Sequence, residues 1–312
     1  MSKDDHPTLS RRHALECMVW AGTGVVWTLQ GGVPRSLGIL GEARAEDAKG
    51  FSFLQISDSH IGFSKPANPD ALGTLTEAIA KVGALPVKPA FMIHTGDITH
   101  LSKPEEFDNA DKVIGAAKLD VHYVPGEHDI IDPEQGKAYM ARYGKNAKGA
   151  GYYSFDQAGV HFIGLVNVVN LQAGGLGNLG EEQLAWLEAD LKDRTASTPI
   201  VVFAHIPLWV VFPAWGWGTA DGERALGLMK RFGSVTVLNG HIHQLIQKVE
   251  GNITFHTANS TAFPQPAPGA APSPGPMLVP ADQLRKKLGI TSVTVAQGAG
   301  PLAIVDTLLA AS

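Results

Sequence analysis

The sequence predicts an α/β fold: two packed mixed β-sheets flanked by helices, a four-layer αββα sandwich. Three observations lead there. From residue 51 short apolar runs alternate with longer amphipathic stretches, as when strands alternate with helices around a largely parallel sheet. Late apolar runs read as antiparallel strands and suggest a second sheet packed on the first. The composition, 44 % hydrophobic and 18 % charged over 312 residues, is that of a globular chain with no disorder signature.

Residues 1–45 stand apart from that pattern. Ser10-Arg11-Arg12-His13 carries a twin arginine, an apolar stretch runs from Cys17 to Val33, and Ala43-Arg44-Ala45 fits a small-x-small cleavage site. A basic start, an apolar middle and an A-x-A end are the three parts of an export signal. The paired arginine is of the twin-arginine type. The expectation is a cleaved leader over 1–45, a periplasmic or extracellular protein, and the twin-arginine export machinery as a partner. A membrane anchor is the alternative. The run is only about 17 residues, with Thr, Gln and several Gly, which is short for a spanning helix. No stable membrane span is therefore expected after cleavage, and residues 46–312 are expected to form a single domain.

The elements follow in order. Residues 51–56 read as a strand and end at Ser57-Asp58-Ser59-His60. Residues 70–82 carry helical spacing, and 90–94 form a strand ending at Thr95-Gly96-Asp97. Lys103-Pro104-Glu105-Glu106 opens a helix through 116, with Pro in the first turn, where its missing N–H costs nothing. The strand at 121–124 runs into Pro125-Gly126-Glu127-His128-Asp129. A hairpin follows at 152–155 and 160–166, then a helix at 181–192 and a strand at 200–204 ending at His205. A helix at 221–231 precedes the strand 235–238, which ends at Asn239-Gly240-His241-Ile242-His243. Strands at 245–249, 253–256, 292–295 and 302–308 complete the order. Between them lies 263–280, too rich in Pro, Ala and Gly for regular structure, which reads as a surface loop.

Five strands thus end in Asp, Glu or His. In open α/β sheets sites gather at the carboxyl ends of strands, so the five clusters are expected to converge. The single cysteine, Cys17, excludes an intramolecular disulfide and a Cys-based metal site. Imidazole with carboxylate suits Fe, Zn or Mn, whereas an all-oxygen set suits Mg or Ca. Gly96 and Gly240 let the backbone turn sharply before Asp97 and His241. The net charge of −5, without a dense Lys/Arg block, argues against long nucleic acid as a partner.

The order D-x-H, G-D, G-x-H-D, a lone His and G-H-x-H resembles the calcineurin-like metallophosphoesterase family across residues 51–260, with the cyclic-nucleotide phosphodiesterase-type branch nearest. The resemblance implies hydrolysis of a small phosphodiester or phosphomonoester at a dinuclear centre of divalent or trivalent transition ions. It implies that Asp58, His60 and His243 bind one ion, that Asp97 bridges both, and that His205, His241 and residue 127 bind the second. His128 would steady the phosphoryl oxygens or protonate the leaving group, with Asp129 as its partner. Two cations a few ångströms apart make a bridging water nucleophilic near neutral pH. One position departs from the family, whose motif reads G-N-H where this chain has Gly126-Glu127-His128. A ligating Glu127 is expected to hold its ion more tightly and leave it a weaker Lewis acid.

Blander roles compete. A lone His at a strand end is more often structural than a ligand, and His205 gains its role only from the array. His94, inside an apolar strand, reads as a core residue, and His122, His161 and His256 as structural. His100 lies between structural and substrate-contacting roles. Trp209, Trp215 and Trp217 follow His205 and either wall the substrate pocket or fold back onto the core. Glu105, Glu106, Asp132, Glu134, Glu181 and Glu182 read as helix-start or solvated charges. Two other classes of function stay open: a different metal-dependent activity on this scaffold, which Glu127 suggests, and a non-catalytic envelope metal-binding protein, which His128 disfavours. Oligomeric state is not legible.

Overall fold

The structure, a computed structural model, describes residues 25–30, 33–38, 50–296 and 302–310. The chain divides into two units, Met1–Lys49 and Gly50–Ser312. In the first, β1 (Val25–Gln30) pairs antiparallel with β2 (Val33–Gly38), strands absent from the leader expectation. Arg11, Arg12 and Ala43-Arg44-Ala45 lie outside the described residues. Among the described residues no helix is long and apolar enough to cross a membrane.

The second unit begins with β3 (Phe51–Ile56), α1 (Ala71–Gly83), β4 (Met92–His94), α2 (Pro104–Ile114), β5 (Val121–Tyr123) and α3 (Lys137–Tyr143). Next come β6 (Tyr153–Gln157), β7 (Val160–Gly164), α4 (Glu181–Leu191), β8 (Ile200–Phe203), α5 (Gly222–Met229) and β9 (Val235–Asn239). The chain closes with β10 (Gln247–Glu250), β11 (Ile253–Thr257), α6 (Ala281–Leu284), β12 (Gly289–Val295) and β13 (Ala303–Leu308).

One sheet has the order β13-β12-β3-β4-β5, the other β10-β11-β9-β8-β7-β6. In the first, β3, β4 and β5 run parallel. In the second, β7, β8, β9 and β11 do. The late strands do not found the second sheet, as the sequence had suggested. β12 pairs antiparallel with β3, Ser292 opposite Leu54, and extends the first sheet. The second sheet is built from residues 153–257. Antiparallel pairing is local to β12–β13, but the edge that β12 joins is set by residues far away in sequence.

Period-two alternation sorts the layers. In β3, Phe53 faces the other sheet while Leu54 and Ile56 face the helices; in β8, Val201 and Phe203 face inward and Ile200 and Val202 outward. Both faces are buried, so these strands read as unbroken apolar runs. Phe53 stacks on Phe91 at 5.1 Å, and Phe162 meets both rings edge-on. Helices α1, α2, α3 and α6 cover the first sheet through Leu75, Ile79, Phe107, Tyr139 and Leu284. Helices α4 and α5 cover the second through Leu184, Leu187, Leu191, Ala225 and Met229. The result is the four-layer αββα arrangement.

Helix starts follow their chemistry. The Asp70 carboxylate caps α1 by accepting from the Gly73 N–H at 2.8 Å. Glu106, in the first turn of α2, is buried and accepts from the Leu101 N–H at 2.7 Å, so it fixes the preceding loop rather than facing solvent. The short α3, which the sequence did not signal, starts behind Gly136 with no side-chain cap.

Candidate metal centre

The carboxyl ends of strands from both sheets meet at one place. Asp58 and His60 follow β3, Asp97 follows β4, and Glu127 and His128 lie in a 3₁₀ turn after β5. His205 follows β8, while His241 and His243 follow β9. The backbone is left-handed at Asp58 (φ 52°), His60 (41°), Asp97 (51°), His241 (69°) and His243 (50°). Such a conformation costs a non-glycine residue about 1 kcal/mol or more and persists only where the surroundings enforce it. Here they do: the Asp58 N–H donates to the Gly96 carbonyl at 3.0 Å, the His60 N–H to the Asp97 carbonyl at 2.9 Å, and the His241 N–H to Asp58 Oδ1 at 3.0 Å.

The two glycines of the motif serve different needs. Gly96 has φ +94°, and a Cβ there would lie 2.5 Å from the Gly126 nitrogen, so both turn and space demand glycine. At Gly240 the φ is ordinary, and the expected sharp turn is not the reason for it. A Cβ would instead lie 2.1 Å from Ser57 Oγ and 2.6 Å from Asp58 Oδ2.

The donor atoms form two half-sites that share one oxygen. In the first, His60 Nε2 lies 3.2 Å from His243 Nε2, and His243 Nε2 lies 3.3 Å from Asp58 Oδ1. In the second, Glu127 Oε2 is 3.0 Å from His205 Nε2 and Glu127 Oε1 is 3.0 Å from His241 Nδ1. Asp97 Oδ2 stands between them, 3.4 Å from His60 Nε2 and 3.4 Å from His205 Nε2. Bonds of about 2.1 Å around one ion separate neighbouring ligand atoms by about 3.0 Å in an octahedron and about 3.4 Å in a tetrahedron. The spacings match those edges. Asp58 Oδ2 is buried with no hydrogen-bond partner, which leaves an acceptor for a cation. The arrangement fits two ions.

Outer hydrogen bonds aim the rings. His243 Nδ1–H donates to the Phe263 carbonyl at 2.6 Å and His205 Nδ1–H to the Thr95 carbonyl at 2.7 Å, so each ring turns its Nε2 toward the centre. Burial, then the charge of His128 and His243, holds the His60 imidazole well below its usual pKa and keeps it neutral. Burial opposes ionisation of Asp58, but His243 and His205 outweigh it and hold that carboxyl at about 2. Burial likewise opposes the charge of Glu127, which His241 and His205 hold well below the usual carboxylate range.

His128 sits over the first half-site, its ring edge-on to His60 at 4.8 Å. Burial disfavours its charged form, but Asp97 and Glu127 raise its pKa above the ordinary value. Its Nδ1–H donates to the His100 carbonyl at 2.7 Å and its backbone N–H to Asp97 Oδ1 at 3.0 Å. Asp129, expected to partner this ring, does not. Its carboxylate is used up by the N–H groups of Ile98, Thr99 and Gly126 and the Thr99 hydroxyl, at 2.8–3.1 Å. It ties the loop after β4 to the loop after β5.

A cavity of about 160 Å³ opens over the cluster, lined by His60, Asp97, Glu127, His128, His241 and His243 together with His100. Its apolar wall is Phe63 and Phe263, rings 4.3 Å apart, and Lys65, Gln265, Gly275 and Pro276 complete it. Trp209, Trp215 and Trp217 are not among the lining residues. Trp217 is buried, Trp215 meets it edge-on at 5.1 Å, and Trp209 packs on Phe255 at 4.7 Å. A larger groove of about 670 Å³ between α4 and α5 has Glu188, Lys192 and Arg231 in its lining but no cluster of metal-ligating groups.

Sequence reasoning missed Phe63, Lys65, Phe263, Gln265, Gly275 and Pro276. Phe263 and Gln265 open the Pro-rich stretch, which is a wall of the site. Gln265 Nε2 donates to the His241 carbonyl at 3.0 Å, Gln244 Nε2 to the Gln265 carbonyl at 3.0 Å, and the Met277 N–H to the Pro264 carbonyl at 2.8 Å. No local signal marks this; it follows from where the loop lands. The other histidines lie apart from the donor set. His94 is buried, with Nε2 2.9 Å from Ser59 Oγ; His161 sits between Asp156 and Asp190; His256 contacts Asp306 at 3.0 Å.

Comparison with known proteins adds a third line. A model of the calcineurin-like phosphoesterases matches residues 51–245. A glycerophosphodiester phosphodiesterase of Enterobacter lignolyticus is 27 % identical over 195 residues, 61 % of this chain and 69 % of the relative. A 3',5'-cyclic-nucleotide phosphodiesterase of a Nostoc species is 23 % identical over 218 residues, 68 % and 79 %. Among solved structures, a dimetal phosphatase from Danio rerio superposes with a TM-score of 0.58 at 14 % identity, covering 82 % of this chain and 98 % of its own.

Proposed function

The chain belongs to the calcineurin-like phosphoesterase family, hydrolases of phosphoric ester bonds, and we propose that it cleaves small phosphate esters at a centre of two transition-metal ions. The observation that supports this most is Asp97 Oδ2, which lies 3.4 Å from a nitrogen of each half-site and so would be within reach of an ion in either. Asp58, His60 and His243 would hold the first ion, and Glu127, His205 and His241 the second. The mixed imidazole and carboxylate set favours Fe, Mn or Zn. When bound, such a pair activates water and neutralises charge on the phosphate oxygens.

The chain's own residues do the rest. His128, its Nδ1–H fixed on the His100 carbonyl, turns Nε2 toward the substrate and carries the proton for a phosphoryl oxygen or the departing alcohol. Phe63 and Phe263 close one side against water. Lys65 offers a cation beside the opening. Asp129 acts only by fixing the two loops on which Asp97 and His128 stand.

The twin arginine and the A-x-A site support export as a folded, metal-loaded enzyme to the periplasm or beyond, with residues 46–312 as a single catalytic domain. The relatives' names supply candidate substrates, glycerophosphodiesters and 3',5'-cyclic nucleotides. Elemental analysis of the natively purified protein, combined with hydrolysis of bis(p-nitrophenyl) phosphate and p-nitrophenyl phosphate, tests the proposal. Two equivalents of metal and turnover are expected, both lost in Asp97→Asn. A protein that neither contains nor takes up a transition ion, or that hydrolyses no ester, overturns it.

A further inference from the structure

We propose that Glu127 makes this site select monoanionic phosphodiesters over dianionic phosphomonoesters. The inference rests on the two-metal phosphoesterase reading of the same site. Glu127 stands inside the donor set, with one carboxylate oxygen 3.0 Å from His205 Nε2 and the other 3.0 Å from His241 Nδ1. It also lines the cavity over the cluster. The family motif has a neutral Asn in this place. With Asp58 and Asp97, Glu127 brings the carboxylates of the centre to three where the motif would leave two, while the imidazole ligands add no charge. A full unit of positive charge is thereby removed from the pole that attracts phosphate.

His128 lines the cavity but stands in the family motif as well, so it does not offset the change. Among the residues lining the cavity Lys65 is the sole Lys or Arg; it is exposed, with its Nζ 5.9 Å from the Phe63 ring centroid. A monoester dianion brings one more negative charge than a diester. Unit charges about 6 Å apart at an effective dielectric of about 20 change a binding ratio by about a hundredfold, and screening at the open mouth reduces this to about tenfold. The walls act in the same direction. Phe63 and Phe263 present apolar surface on the cavity wall, which tolerates the second alcohol of a diester better than a third charged oxygen.

The test compares metal-loaded wild type with Glu127→Gln and Glu127→Asn, each assayed for metal content. Two readouts are taken: the ratio of kcat/KM for bis(p-nitrophenyl) phosphate to that for p-nitrophenyl phosphate, and calorimetric binding of inorganic phosphate and dimethyl phosphate. In variants that keep both ions, the diester-to-monoester ratio should fall about tenfold. Phosphate should bind about tenfold more tightly, and dimethyl phosphate should change by less than about threefold. An unchanged ratio and unchanged phosphate binding with both ions present overturn the proposal. Should the variants lose an ion, wild type and Glu127→Asp, which keeps the charge, decide: both should favour the diester, and a monoester preference in wild type overturns the proposal. Failure of the underlying function differs from all of these, because then neither ester is turned over.

Discussion

Asp58, His60, Asp97, His241 and His243 spend their backbone in a conformation that L-residues avoid, and all five are donors of the proposed centre. Their identities were legible because the chemistry needs those side chains at the ends of strands, and strand ends can be read from apolar runs. Their partners were not. Asp129 follows His128 directly, yet its carboxylate is captured by loop N–H groups, while the carbonyl of His100, from another strand end, orients the catalytic candidate. Hydrogen-bond choice of this kind depends on loops that meet only in three dimensions. His128 itself gives a prediction, because its Nδ1–H is engaged by the His100 carbonyl and its backbone N–H by Asp97 Oδ1. His128→Asn should lower kcat by about a hundredfold or more while leaving metal content at the wild-type value. Loss of metal in that variant, or wild-type kcat, would remove the acid role.

At the scale of elements, most strands and helices appear within a residue or two of their expected limits, because period-two and helical patterns report burial directly. The stretch 263–280 shows the limit. Its composition forbids regular structure, but Phe263 and Gln265 are fixed by side-chain and carbonyl hydrogen bonds that composition does not encode. A second polar junction, between β7 and α4, has a pH signature. The Asp190 carboxylate accepts from Ser154 Oγ at 2.7 Å and lies 2.6 Å from His161 Nε2, and it also feels Arg194. Burial raises its pKa, but the hydrogen bonds of His161 and Ser154 outweigh that and set it below the ordinary 3.8. A carboxyl lowered on folding stabilises fully above its unfolded value, and the contribution fades as pH falls through the folded one. Asp190→Asn should therefore cost about 2 kcal/mol near neutral pH and progressively less below the ordinary carboxylate range. Urea unfolding of both proteins across that range checks it; a penalty independent of pH would mean the loss is packing rather than charge.

Across the second unit, the two sheets are held by an apolar layer in which Phe53, Ile93 and Val293 of one sheet share a cluster with Phe162, Val201 and Phe203 of the other, and by the donor cluster at the strand ends. The layering was legible from alternation, whereas the sheet that β12 joins was not, since that depends on pairing residues 289–295 with 51–56. The donors divide between the sheets: Asp58, His60, Asp97 and Glu127 follow strands of one, His205, His241 and His243 strands of the other. Ions held there would cross-link the two halves of the core, and the unfolded chain could not offer the same geometry. Binding to the folded state alone stabilises it by about 3–4 kcal/mol when metal stands at hundreds to a thousand times its dissociation constant. For a domain of this size that is about 10 °C of Tm. Chelation should therefore lower Tm by about that much, and re-addition of metal should restore it. Asp97→Asn, deprived of the shared oxygen, should already melt near the chelated value and respond little to chelator. Equal melting of chelated and metal-loaded wild type would show that the sheets are joined by the apolar layer alone.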